Sequence, residues 1–224
     1  LDPLKEKRFP VMLIGIDGCG KTLIINEKLI QLDENFAIAN VPFNFYYSSE
    51  MTQKILEKPL EKKAGKNYGP PGGKKLIYFL DDLNMPEVDE YGTVGPHTII
   101  RQHMDYSHWY CRSKLTLKEI HNTQYVACMN PTGGSFTINP RLQRHFATFS
   151  VVFPGQEALF TVYNSILSDH LTNVTNKFKQ PIQALCSNIV HGTLQLHARC
   201  AHAFVPSSTK FHYIFNLRDL TNVF

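Results

Sequence analysis

The segment "GIDGCGKT", Gly15 to Thr22, constrains this chain more tightly than any other stretch. It follows a short apolar run, "VMLIG" (11–15), and opens the apolar-periodic run "KTLIINEKLIQL", so it lies between a predicted strand and a predicted helix. Gly18 and Gly20 permit backbone conformations that a Cβ would forbid, which lets consecutive N–H groups converge on phosphate oxygens at a helix N-terminus. Lys21 supplies a point charge to the β and γ phosphates, and Thr22 a hydroxyl ligand for magnesium. A ligand-free Gly-rich turn is the plainer alternative; the strand before and the helix after favour a phosphate loop. Cys19 fills a variable slot of the motif and receives no catalytic role.

Four more runs have strand character: "VPFNFYY" (41–47), "LIYFL" (76–80), "QYVACM" (124–129) and "ATFSVVF" (147–153). They alternate with helical stretches such as "HTIIRQHMDY", which predicts an α/β fold with a parallel sheet flanked by helices. After "FPGQE" the pattern turns almost continuously helical, through "EALFTVYNSILSDHL", "IQALCSNIVHGTLQLHARCAHAF" and "FNLRDLTNVF". Residues 1–153 are therefore expected to form a large α/β nucleotide-binding subdomain, and 154–224 the N-terminal part of a helical lid. The chain lacks an initiator Met and stops within an apolar helix, so it is expected to be a piece of something longer, with the lid cut short.

Several function classes are set aside by composition. No run nears the roughly 18 consecutive apolar residues of a membrane span, and "LDPLKEKRFP" lacks the apolar core of a secretory signal. Five scattered cysteines with no CxxC spacing indicate neither a disulfide framework nor a zinc knuckle, and suggest a reducing compartment. The net charge of +4 owes much to "QKILEKPLEKKAGKNYGPPGGKK", expected to be a solvated loop and not a nucleic-acid surface. The aromatic cluster around Trp109 is expected to pack a helix–loop junction in preference to stacking on bases. His191, His197 and His202 fall in one helical stretch at offsets that do not align them as metal ligands, so they are expected at partly exposed positions.

Asp81 and Asp82 close the run "LIYFLDD", at the C-terminal end of a strand, where α/β sheets gather ligand chemistry. Asp81 would hold Mg²⁺ and Asp82 would stand where a general base polarises the attacking water; capping of the following turn is the lesser alternative. Asp is shorter than Glu by about 1.5 Å of reach, and a misplacement of about 1 Å costs roughly 10²-fold in rate, so slow hydrolysis with intact binding is expected. Asn130, at the tip of the fourth strand, would orient the water, although an Asn before Pro131 also suits a turn. Of Arg141 and Arg144 in "NPRLQRHF", Arg144 is the chosen finger acting in trans on a neighbouring module. Arg218 either reaches the phosphates when the lid closes or pairs with Asp219 or Asp169.

These residues resemble the AAA+ ATPase modules, and within them the third module of the dynein heavy-chain motor ring, most like the axonemal outer-arm type. The likeness rests on "GIDGCGKT", "PPGGKKLIYFLDDLNMPEVDEYG", "IRQHMDYSHWY", "YVACMNPTGGSFTINPRLQRHF" and "FNLRDL". It implies a P-loop NTPase fold with a five-stranded parallel sheet of order 5-1-4-3-2 and a helical lid. It implies ATP or ADP with Mg²⁺ contacted by Gly15, Ile16, Asp17, Gly18, Cys19, Gly20, Lys21, Thr22, Leu23 and Arg218. Asp81 and Asp82 would fill the acid-pair positions, Asn130 the first sensor, Arg144 the arginine finger and Arg218 the second sensor. Further implications are a regulatory ATPase that gates a minus-end-directed microtubule motor of cilia and flagella, located at the axoneme cytoskeleton. Neighbouring modules of the same heavy chain would be direct partners. Intermediate chains, light chains and microtubules would be engaged through the parent chain alone, with no nucleic acid and no membrane involved.

Overall fold

The computed structural model describes residues 9–131, 138–173 and 178–224, so part of "MNPTGGSFTINPRLQRHF" lies outside the described residues. Two units are present: one runs to Ile16 and resumes over Lys21–Val151, the other joins Asp17–Gly20 to Val152–Phe224. In chain order the first unit holds β1 (Val11–Ile14), α1 (Lys21–Ile30), β2 (Phe36–Pro42), α2 (Ser49–Glu57), β3 (Glu61–Lys62), β4 (Asn67–Gly69) and β5 (Lys75–Asp81). It continues with α3 (Gly95–Tyr106), β6 (His108–Tyr110), β7 (Leu117–Ile120), β8 (Thr123–Met129), α4 (Pro140–Gln143) and β9 (Ala147–Ser150).

The main sheet is all parallel, in the order β2-β5-β8-β1-β9. Counting only its own five strands, this is the expected order 5-1-4-3-2 read from the other edge. Its middle strands are continuously apolar because both faces are covered. On one face Leu13, Ile77, Phe79 and Cys128 pack with Ile25 and Leu29 of α1. On the other, Met12, Tyr78, Leu80 and Tyr125 pack with Leu56 of α2 and Ile99 and Ile100 of α3.

The second strand differs from expectation: it spans Phe36–Pro42 and not 41–47. As an edge strand it is half exposed and lacks a continuous apolar run, and it tolerates Pro42 at its end. The aromatic-rich stretch that follows turns away, with Asn44 Oδ1 accepting the Tyr46 N–H at 3.0 Å. The lysine-rich stretch also differs from the expected loop. It supplies the end of α2 and two strands of a four-stranded second sheet, β3-β4-β7-β6, while its lysines remain exposed.

A column of aromatic groups fastens this second sheet to the first. Tyr78 stacks on Tyr125 with centroids 5.3 Å apart, His103 lies edge-on to Tyr125, and Trp109 lies 5.2 Å from His103. Each polar tip has a partner. Tyr78 donates to the Leu56 carbonyl at 2.6 Å, Trp109 Nε1 donates to Glu57 Oε1 at 2.8 Å, and His103 Nδ1 shares a hydrogen bond with the Tyr125 hydroxyl at 2.7 Å. Leu56 belongs to the last turn of α2, whose carbonyls have no intrahelical partner, so Tyr78 satisfies one of them. Trp109 therefore packs a structural junction, as expected.

The second unit contains α5 (Gln156–Thr172), α6 (Gln180–Gln183), α7 (Cys186–Ala203) and α8 (Leu217–Val223). Leu159, Tyr163, Val190, Leu194 and Leu220 form its core. In α7, His191 and His202 are exposed and His197 is half buried. α8 starts with a capping box: Asn216 Oδ1 accepts the Arg218 N–H at 2.8 Å, and Asp219 Oδ2 accepts the Asn216 N–H at 2.8 Å.

Replacing Tyr78 by Phe leaves a buried carbonyl without its donor, and should lower stability by about 1–3 kcal/mol in urea unfolding. A second prediction concerns acid. Burial pushes His103 down from 6.5 to about 4. The unfolded chain then binds the proton more readily than the folded one. The stability this residue carries is full above about pH 6.5 and is lost as pH falls towards 4, an effect of order 3 kcal/mol. Melting temperature followed from pH 7 to pH 4 should drop steeply, and His103→Gln should flatten the slope.

Candidate functional site

β8 lies between β1 and β5 and runs parallel to both, so the C-terminal ends of three adjacent strands reach one edge of the sheet. β1 delivers the chain to Gly15, whose N–H donates to the Met129 carbonyl at 3.3 Å. The phosphate loop follows, with Gly18 at φ +68 and Gly20 at φ +92, both in the region that favours glycine. Gly18 is required for a second reason, within the second unit. A Cβ there would stand 2.5 Å from Asn216 Cγ, and its carbonyl accepts the Leu217 N–H at 3.3 Å. Loop residues 17–20 are therefore held against the N-terminus of α8, the helix that also carries Arg218.

Lys21 and Thr22 form the first turn of α1. The Lys21 ammonium is nearly buried and donates to the carbonyls of Gly15 at 2.8 Å and Ile16 at 2.9 Å. The Thr22 hydroxyl lies 3.2 Å and 3.4 Å from the two carboxylate oxygens of Asp81. Hydroxyl and carboxylate oxygens are the hard donors that magnesium prefers, and the loop glycines leave no Cβ in the cradle, so these residues fit both a polyphosphate and a magnesium ion.

Two neighbours of this pair were not legible as site residues. Cys128 donates to Asp81 Oδ1 at 2.6 Å, and its sulfur lies 3.8 Å from Thr22 Oγ1. Burial, with the bond to Asp81 and its negative charge, pushes the Cys128 thiol up to about 12. Asn84 is buried; its Nδ2 donates to the Asn130 carbonyl at 3.2 Å, while Oδ1 has no hydrogen-bond partner among the described residues. Nothing local in the sequence marked either one, because each acts through a contact between distant segments.

Asp82 is exposed and takes a left-handed backbone, φ +53. The chain on either side holds it there. The Phe43 N–H donates to the Asp81 carbonyl at 2.9 Å, the Leu83 N–H to the Cys128 carbonyl at 3.1 Å, and the Met85 N–H to the Asp82 carbonyl at 2.9 Å. Asp and Asn tolerate this conformation better than other side chains, whereas Glu incurs about 1 kcal/mol or more. The shorter acid at this position is thus matched to the main chain. Asn130, half buried, follows β8 at the same edge.

Arg144 lies elsewhere. It caps α4, and its Nη2 donates to Asp105 Oδ1 at 2.8 Å with the side chain 62% exposed. It lines a cavity of about 520 Å³ with Pro10, Thr123 and Gln124, residues at the N-terminal ends of β1 and β8. The length of β8, roughly 20 Å, separates that end from Asp81. Arg144 and its own phosphate loop are therefore at opposite ends of the sheet. Arg141 is an exposed residue of the same short helix. Leu23, on the outer side of α1, is 72% exposed. Arg218 is exposed on α8, and among the described residues no ion pair joins it to Asp219 or Asp169. Asp219 is engaged in the capping box.

Position 82 yields a prediction. Asp82→Asn should keep folding stability within about 0.5 kcal/mol, whereas Asp82→Glu, despite retaining the acid, should lose about 1 kcal/mol or more in urea unfolding.

A model described as the P-loop containing dynein motor region matches residues 1–154, and one described as the AAA+ lid domain matches residues 189–224. The ciliary dynein beta chain of Tripneustes gratilla is 63% identical over 224 residues, covering 100% of this chain. Dynein axonemal heavy chain 17 of Homo sapiens is 60% identical over 225 residues, and the flagellar outer arm dynein alpha chain of Chlamydomonas reinhardtii is 49% identical over 225 residues, each again covering 100% of this chain. The chain spans 5% of the length of each of these curated relatives.

Proposed function

Since the chain belongs to the family of P-loop containing dynein motor regions, we propose that it is the third AAA+ module of an axonemal dynein heavy chain, binding Mg-ATP and hydrolysing it slowly to gate the motor ring. Through its parent chain it would serve a minus-end-directed microtubule motor of cilia and flagella, at the axoneme. Its direct partners would be the adjacent modules of the same heavy chain; intermediate chains, light chains and microtubules would be reached through other segments.

The observation that carries this reading is the convergence of Thr22 and Asp81, 3.2 Å apart, beside the phosphate loop. Lys21 and the loop amides would hold the polyphosphate, and Thr22 with Asp81 would hold magnesium. A magnesium ion supplies charge neutralisation on the phosphate oxygens. Lys21 already donates to two carbonyls, so its ammonium is positioned near the loop before any phosphate arrives. Asp82 would take the proton of an attacking water oriented by Asn130. Its short side chain and fixed left-handed backbone limit its reach, which favours slow turnover. Arg144, some 20 Å from its own loop, supports action on a neighbouring module's nucleotide. Arg218 would approach the phosphates from the lid.

A second reading, a module that holds ADP without turning it over, is favoured by the same left-handed Asp82. Calorimetry tests the shared part: the chain should bind ADP and ATP with magnesium, and Lys21→Ala should weaken binding by at least about tenfold. Single-turnover measurement with the adjacent modules present separates the two readings. Hydrolysis that disappears in Asp82→Asn supports the slow ATPase; none in either protein supports the static ligand.

A further inference from the structure

The buried thiol of Cys128 has no part in the roles above, yet it touches the carboxylate that those roles assign to magnesium. We propose that Cys128 is a positioning residue: its S–H donates to Asp81 Oδ1 and fixes the carboxylate orientation in which Thr22 and a magnesium ion meet it. This rests on Thr22 and Asp81 being the magnesium pair.

Three observations support it. Thr22 Oγ1 is almost equidistant from the two Asp81 oxygens, at 3.2 Å and 3.4 Å, so Thr22 alone does not select between them. Cys128 breaks that symmetry by bonding Oδ1 only, at 2.6 Å. Second, the parallel register pairs Leu80 with Ala127, which puts Asp81 and Cys128 next to each other on adjacent strands, facing α1. Third, Cys128 has no exposed surface and packs among Leu13, Ile25, Ile77 and Phe79, so its sulfur has no alternative rotamer open to water. A hydrogen-bonded carboxylate presents its remaining lone pairs in a defined direction, and such outer partners typically carry a 10–100-fold effect on metal affinity.

The test uses the whole chain and follows fluorescent ADP binding as magnesium is titrated, with melting temperature recorded for each variant. Cys128→Val keeps the volume and removes the donor; Cys128→Ser keeps a donor. The expected result is that Val raises the magnesium concentration for half-maximal tightening about tenfold, with magnesium-free ADP affinity changed by less than about twofold, and that Ser restores most of the loss. An unchanged magnesium midpoint in the Val variant overturns the proposal. So does an equal loss in Ser and Val, or a loss of magnesium-free affinity in parallel with a lowered melting temperature, because either would assign Cys128 to packing. If wild type binds ADP with no dependence on magnesium, the metal reading of Thr22 and Asp81 falls first and takes the proposal with it.

Discussion

The parallel pairing of β8 between β1 and β5 governs the distances at the phosphate loop. Because Ile14 is in register with Met129, and Leu80 with Ala127, the three strands end together and their next residues are neighbours in space. A slip of one residue in any of these strands would turn its side chains to the opposite face. Asp81 would then point away from α1 and from Thr22. The apolar contacts of Leu13, Ile77 and Phe79 with Ile25 and Leu29 oppose such a slip, since it would break the fitted packing on both faces and bury the Asp81 carboxylate among the apolar groups of the other one. The site thus depends on ordinary core packing along the full length of the strands.

The opposite face of the sheet has a different task. There the stacked Tyr78, Tyr125, His103 and Trp109 bind the main sheet to α2, α3 and the small second sheet, with a hydrogen bond at each polar tip. Glu57 joins this assembly twice, accepting from Trp109 and from Lys118 at 2.8 Å. Lys118 is on β7, so one carboxylate at the end of a helix holds two strands of the second sheet. Such a buried and satisfied network keeps α3 and the neighbouring α4 in place, and with them Asp105 and Arg144 at the far end of the sheet.

Backbone conformation, more than side-chain chemistry, distinguishes the acid pair. Asp81 is the last residue of a regular strand, whereas Asp82 is already left-handed and its neighbours are bonded to β8 and to the segment after β2. Strain of this sort persists where surrounding contacts over-determine it, and it commonly marks functional positions. The shorter acid and the left-handed turn belong together, which gives a structural reason for an aspartate at position 82.

Much of this was legible in the residue order alone, because it depends on local signals. The phosphate loop is defined by glycines and a lysine at fixed offsets. The buried strands β5 and β8 are continuous apolar runs ended by polar residues, and the helical second unit shows in its periodicity. Tertiary structure decided what local signals do not carry. Edge strand β2 has no continuous apolar run, and strands β3 and β4 are too short to show a pattern: β3 is held by β4, and β4 by β7, whose paired residues lie more than fifty positions away in sequence. The bond between Cys128 and Asp81 joins residues 47 positions apart, and the left-handed backbone at Asp82 arises from hydrogen bonds to other segments. The chain's order determined which groups could bind a polyphosphate and a metal ion; strand register and burial decided how they face one another, because only a packed sheet holds distant residues within hydrogen-bonding distance.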